Sequence, residues 1–224
     1  MRRRLFSGLL SVFMSLAALN AGAALNDISR IYHQEQSLDD FEVCSGGGCA
    51  EVHHVALDDD EWQAISEIFA DDVNEAPADA AEERKQIAEA IGAFETIVGA
   101  KIGTSVDRAG TFNNMDFAGQ LDCNDEAINS TTYMQLMHKY GLLQWHEVED
   151  MRTRNFFFTG WPHSTAVIHD KASGERYAVD SWFYDNGVPA TIVPFALWKS
   201  GYIPEDSPLS NVPRNMLSAH QLDD

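Results

Sequence analysis

The spacing of apolar residues changes along this chain, and each change predicts a different element. Leu5 to Leu19 is almost unbroken apolar sequence, preceded by Arg2, Arg3 and Arg4 and followed by Ala21-Gly22-Ala23. A basic start, an apolar stretch and small residues at the cleavage positions predict a secretory signal peptide over residues 1–23. Residues 24–60 carry no sustained period and read as an irregular segment, with Gly46-Gly47-Gly48 as a flexible point. Asp58-Asp59-Asp60 stands where carboxylates favour a helix N-terminus. Trp62, Ile65, Phe69 and Val73 then recur at helical spacing and predict a short helix over 61–73. After a break at 74–79, Ile87, Ile91, Phe94 and Val98 stripe a long helix from Ala80 to Val98. Glu82, Glu83, Arg84 and Lys85 form its expected solvated face, and Gly99 its expected stop.

Residues 100–122 hold Gly103, Gly110, Asn113, Asn114 and Gly119, and a connection this long without clear structure is often functional. The next helix is predicted from Cys123 to Tyr140, ended by Gly141, with Ala127, Tyr133 or Met134, Met137 and Tyr140 on its buried side. Asn129-Ser130-Thr131 matches a glycosylation sequon but falls inside that helix. From Leu142 the pattern becomes strand-like: Val148 to Phe158, then Ser164 to His169 and Arg176 to Trp182 around the turn-rich 170–175, which is a hairpin signal. Asn186-Gly187 marks a further turn before a short strand at Ala190 to Val193. Phe195, Trp198 and Tyr202 suggest a short packed helix, and the tail from Pro204 is polar. The expected fold class is α+β, helices packed on an antiparallel sheet, with residues 24–224 as one domain.

Charge and cysteines narrow the setting. Thirty-five acidic residues against 15 basic ones give a net charge of −20, which repels nucleic acid and anionic lipid. No stretch after the signal is long and apolar enough to span a bilayer, so a periplasmic or secreted protein without a membrane segment is expected. Three cysteines leave an odd count. Cys44 and Cys49, with four residues between them including the three glycines, suit a small disulfide in an oxidising compartment, and Cys123 then remains as a free thiol. His53, His54, His138, His146 and His169 show no zinc-like spacing.

The free thiol stands where a loop becomes a helix. Unsatisfied N–H groups and the positive end of the helix dipole collect there, which eases ionisation of a thiol. His163 and Asp180 fall on the two strands of the predicted hairpin. With the turn centred between Lys171 and Ala172 they lie directly opposite each other. A shift of the centre by one residue makes them diagonal neighbours on one face, and either register keeps them within about 4.5–8 Å. A carboxylate there fixes the tautomer and orientation of the imidazole. The pattern therefore reads as a Cys123-His163-Asp180 nucleophilic triad, with the Cys123 N–H as one oxyanion donor and Gln120 as the candidate second.

These residues resemble the bacterial transglutaminase-like cysteine proteinases of the transglutaminase-like superfamily, which has the papain-like fold. The resemblance rests on Asp122-Cys123-Asn124-Asp125-Glu126-Ala127, His163-Ser164-Thr165-Ala166-Val167 and Tyr177-Ala178-Val179-Asp180, and covers about 85 to 180. Asn124 stands where the family carries an acidic residue and Glu126 where it carries an aromatic one. The resemblance implies an exported cysteine peptidase acting on a protein or peptide substrate, with no required cofactor. It also implies a calcium site at Asp122 and Asp125 and leaves room for a regulatory protein partner. Amine acyl transfer through the same triad and a catalytically inactive binding module on the same fold are the alternatives.

Overall fold

A computed structural model describes residues 30–70, 77–111, 118–154 and 162–212. The signal peptide, Val73, Asn113, Asn114, the 155–158 end of the first predicted strand and the last part of the tail lie outside the described residues. The chain is mixed α and β, with two antiparallel sheets. A hairpin of β1 (Phe41–Ser45) and β2 (Glu51–Val55) comes first, then α1 (Asp59–Glu67), α2 (Ala80–Ile102) and α3 (Cys123–Lys139). The larger sheet follows as a meander of β3 (His146–Arg154), β4 (His163–Asp170), β5 (Arg176–Asp180) and β6 (Thr191–Pro194), with a short α4 (Phe195–Lys199) and a 3-10 turn at Pro208–Asn211 behind it.

The helix starts follow from their caps. Asp58 accepts the Glu61 N–H while Glu61 reaches back to the Asp58 N–H, a capping box that begins α1. Asp79 caps α2 by accepting from the Ala81 and Glu82 N–H groups. The end of α2 is later than the sequence suggests. Gly99 lies inside the helix, where a Cβ would stand 2.9 Å from the Asn186 side chain and 3.0 Å from the Ser105 nitrogen. Its smallness serves close packing, and Gly103, at φ 88°, is the residue that stops the helix.

Three expectations need correction. The 24–60 segment contains the β1–β2 hairpin, paired from Phe41 with Val55 to Ser45 with Glu51. Its signal is weak because β1 is buried on both faces and β2 is mostly exposed, so neither alternates. Glu83 is not on a solvated face. It is fully buried and its carboxylate accepts the N–H groups of Gln144, Trp145 and His146, with His146 Nδ1 at 2.8 Å. That places the start of α2 against the loop entering β3. The tail from 204 is polar, yet Leu209 and Ser207 are buried, and Ser207 donates to the Phe183 carbonyl.

Helix α3 is the centre of the packing. It lies against β3, β4 and β5 of the larger sheet, against β1, and against α2. Phe94 of α2 stacks on Tyr133 of α3 at 4.6 Å between ring centroids, and Phe41 of β1 meets Tyr133 edge-on. Asn129, the sequon residue, is buried. Its side chain accepts the Cys44 N–H at 2.6 Å and donates to the Cys44 carbonyl at 2.9 Å, in the way a neighbouring strand would.

Candidate active site

The hairpin register sets the His–Asp relation. β4 pairs β5 from Ala166 with Val179 to His169 with Arg176, so the turn centres between Ala172 and Ser173. This is the diagonal register. His163 begins β4 and Asp180 ends β5, and Nε2 of His163 lies 2.6 Å from Oδ2 of Asp180. Both side chains are buried. Burial pushes the imidazole below its ordinary pKa; the charge and hydrogen bond of Asp180 oppose this, and Arg154 adds to the lowering.

Two residues that the sequence offers no role for complete this end of the sheet. Trp198 of α4 donates its indole N–H to the same Oδ2 of Asp180 at 2.6 Å. Its ring centroid is 5.7 Å from that of His163, and Trp182 approaches His163 to 4.6 Å. The β3–β4 ladder shifts register by one residue between Glu149 and Arg152, which sets Arg154 directly opposite His163. The Arg154 guanidinium lies over the Trp198 ring and donates to the Trp198 carbonyl. Neither residue carries a sequence signal, because both contacts depend on how β6 returns beside β5.

Cys123 is the first residue of α3 and is 8% exposed. Asp122 caps the helix, accepting the Asn124 and Asp125 N–H groups at 2.9 Å, and Asp125 closes a capping box. The thiol packs in an apolar cluster with Ala178, Trp182 and Trp198, the tryptophans that enclose His163. The Ser164 N–H, one residue from His163, favours the ionised form of the sulfur. The two strands and the helix therefore bring Cys123, His163 and Asp180 into one buried region.

The electrostatics differ from the expectation of an easily ionised thiol. Burial, followed by the charges of Asp122, Asp180 and Asp125, pushes Cys123 up to about 12 against the Ser164 N–H. Helix-terminus stabilisation is outweighed because desolvation and several nearby carboxylates act together. The arrangement favours a resting neutral thiol beside a neutral imidazole.

The departures from the resembled motif each have a partner here. Asn124 Oδ1 accepts from Ser164 Oγ at 2.7 Å, and Ser164 Oγ also meets Thr153 Oγ1 at 2.8 Å, so the side chain joins α3 to β4 and β3. Glu126 is buried and accepts from Ser181 Oγ at 2.6 Å. It also shares hydrogen bonds with the buried carboxyls of Glu95 and Asp107. Gln120 donates to the Val106 carbonyl at 2.8 Å and accepts from the Arg108 N–H and the Thr111 hydroxyl. These bonds hold the connection that leads into α3, and they commit one of the two amide hydrogens that an oxyanion role would draw on.

Cys44 and Cys49 form a disulfide, which fits an exported protein. Asp122 and Asp125 meet backbone N–H groups of the disulfide loop: Gly48 donates to Asp122, and Gly47 and Cys49 donate to Asp125. No group of three or more His, Cys, Asp or Glu that could hold a metal ion occurs among the described residues. His53 and His54 point to different partners, Ser45 and Asp40. Among the described residues no helix is long and apolar enough to cross a membrane. In comparisons with known proteins, no family model, no curated protein and no solved structure matches this chain.

Proposed function

We propose that this protein is an exported thiol hydrolase that cleaves peptide bonds through Cys123, His163 and Asp180. The observation that carries the reading is the 2.6 Å bond between His163 Nε2 and Asp180 Oδ2, made beside a thiol at a helix start. Nε2 is committed to the carboxylate, so the proton of Cys123 moves to Nδ1 as the sulfur attacks the carbonyl carbon of the substrate. The negative oxygen that develops meets the Cys123 N–H, which has no acceptor within its own helix. His163 then returns the proton to the leaving amine, and water releases the acyl group as a carboxylate. Asp180 holds the imidazole for both transfers, and the Trp198 indole holds Asp180.

A neutral resting pair gives this reading a specific signature. His163, lowered by burial, is unprotonated through neutral pH and acts as a general base on the thiol. Alkylation of Cys123 by iodoacetamide, mapped by mass spectrometry, should therefore stay nearly level from about pH 6.5 to 8. In His163→Ala it should rise about tenfold per pH unit, as a thiol without a base does. Superimposable profiles for the two proteins would remove the triad and leave a binding module on this fold. The near-complete burial of Cys123 and His163 gives amine acyl transfer a specific advantage, since water is held away from the acyl group. Incorporation of an added amine into a peptide product, in place of carboxylate release, distinguishes that outcome.

A further inference from the structure

The loop closed by the Cys44–Cys49 disulfide has an unusual backbone. Gly46, Gly47, Gly48 and Cys49 all have positive φ, at 82°, 82°, 60° and 60°, and Cys49 is the one non-glycine with positive φ among the described residues. A side chain in that region is strained and persists only where its surroundings hold it. Successive backbone N–H groups in a turn can point to one side and form an anion-binding concavity. Here that concavity is occupied by the two carboxylates that flank Cys123. Gly48 donates to Asp122 Oδ2 at 2.8 Å, Gly47 to Asp125 Oδ2 at 2.8 Å and Cys49 to Asp125 Oδ1 at 2.6 Å.

We infer that the disulfide loop is a positioning clamp for the candidate nucleophile: the bond between Cys44 and Cys49 holds three N–H groups against Asp122 and Asp125, and so seats the first turn of α3 with Cys123 against β4. Several contacts make the coupling direct. Asp122 is the cap of α3 and Asp125 completes its capping box, so the loop grips both members of that box from outside. Asn129, one turn further along α3, binds the backbone of Cys44 itself. The disulfide is therefore tied to α3 at both of its neighbouring turns. On the other side of that turn, Asn124 Oδ1 accepts from Ser164 Oγ at 2.7 Å, which ties the helix start to β4. Asp125, raised by burial and Asp122 to about 7, is held back from a higher value by these same N–H groups. Two adjacent buried carboxylates at a helix start repel each other, and the loop supplies the positive ends of three backbone dipoles where a cation would otherwise serve.

The clamp is a positioning device, and its effect on reactivity rests on Cys123 and His163 acting as proposed above. The test compares the oxidised protein with Cys44→Ser/Cys49→Ser, in which Cys123 is the sole remaining cysteine, and with Asp125→Asn, which keeps the disulfide but turns one acceptor into a donor. Amide hydrogen exchange at Asn124, Asp125 and Glu126 should quicken about tenfold or more in both variants, as expected for losing one hydrogen bond to a charged group. The Cys123 alkylation profile should lose its level region and follow that of His163→Ala, while far-UV circular dichroism stays that of a folded chain. Exchange within about twofold of the parent in both variants would overturn the clamp, whatever the alkylation shows. Should the cysteine pair prove necessary for folding, Asp125→Asn decides alone. If the parent itself already alkylates like His163→Ala, the triad reading fails, and the exchange rates still decide whether the clamp exists.

Discussion

The carboxyl trio behind the candidate site gives a sharp prediction about pH. Glu95 of α2, Asp107 of the connection and Glu126 of α3 are buried and linked through Glu126. Their fixed donors are few: Gly187 N–H on Glu95, Leu121 N–H on Asp107, and Ser181 on Glu126. Tyr133 and Asp180 are the other titratable groups that face the trio. Burial, then the charge of Glu126, pushes Asp107 up to about 9, and burial raises both glutamates. A carboxyl with a raised folded value binds its proton more tightly folded than unfolded. Its contribution is therefore complete below the unfolded value of about 4 and is lost as pH rises towards the folded one. Each pH unit in between costs about 1.4 kcal/mol per proton. From pH 7 to 8.5 Asp107 alone should remove ~2 kcal/mol. At this size that lowers the melting temperature by about 4–8 °C. The window avoids His163, which is lowered, and Cys123, which is raised to about 12. Asp107→Asn keeps an acceptor for the Leu121 N–H and removes the titration. Urea unfolding at pH 7 and 8.5 should show the variant gaining ~2 kcal/mol on the parent between the two conditions. A gap that does not change with pH would refute a trio held together by shared protons.

Three further outcomes follow from single contacts. Trp198→Phe keeps an aromatic ring, though a smaller one, but removes the 2.6 Å indole bond to Asp180, and should cost at least about 1.5–3 kcal/mol by urea unfolding, with the His163 ring resonances broadened in NMR spectra. Asn129→Ala strands the buried N–H and carbonyl of Cys44, and about 2–5 kcal/mol should be lost on thermal or urea unfolding. Gly99→Ala gains about 1 kcal/mol of helix propensity, yet its Cβ would stand 2.9 Å from Asn186 and 3.0 Å from the Ser105 backbone. The net result should be a loss of about 1–3 kcal/mol, and a stabilised variant would show that this contact yields.

The parts of this fold that could be read from the chain are those where one local rule dominates. Two β-rich runs on either side of the turn-rich 170–175 make the β4–β5 hairpin readable although β4 is buried on both faces, and its register follows from where that turn centres. The start of α3 was readable because Asp122 and Asp125 form a capping box. The β1–β2 hairpin was hidden because one strand is wholly buried and the other mostly exposed, so neither alternates. Glu83, Arg154 and Trp198 were hidden for another reason. A glutamate in a first turn, an arginine at a strand end and a tryptophan in a short helix each have an ordinary local explanation. Their partners are 61, 9 and 18 residues or more away in sequence and are brought close by the return of the chain. The raised pKa of Cys123 is not legible in the sequence, because helix position is a local property, whereas desolvation belongs to the assembled core.

The burial of Asn129 has a consequence for how this protein can be made. Asn129-Ser130-Thr131 is a sequence that a eukaryotic secretory pathway reads on the unfolded chain, before any core exists. A glycan attached there would occupy the amide that must donate to the Cys44 carbonyl, at a site only 2% exposed in the finished fold. Modification and folding would compete for one nitrogen, and a chain that lost the competition could not dock its first hairpin. Expression hosts that export without N-glycosylation, or a Thr131→Val chain that erases the sequon at a position already buried, avoid the conflict.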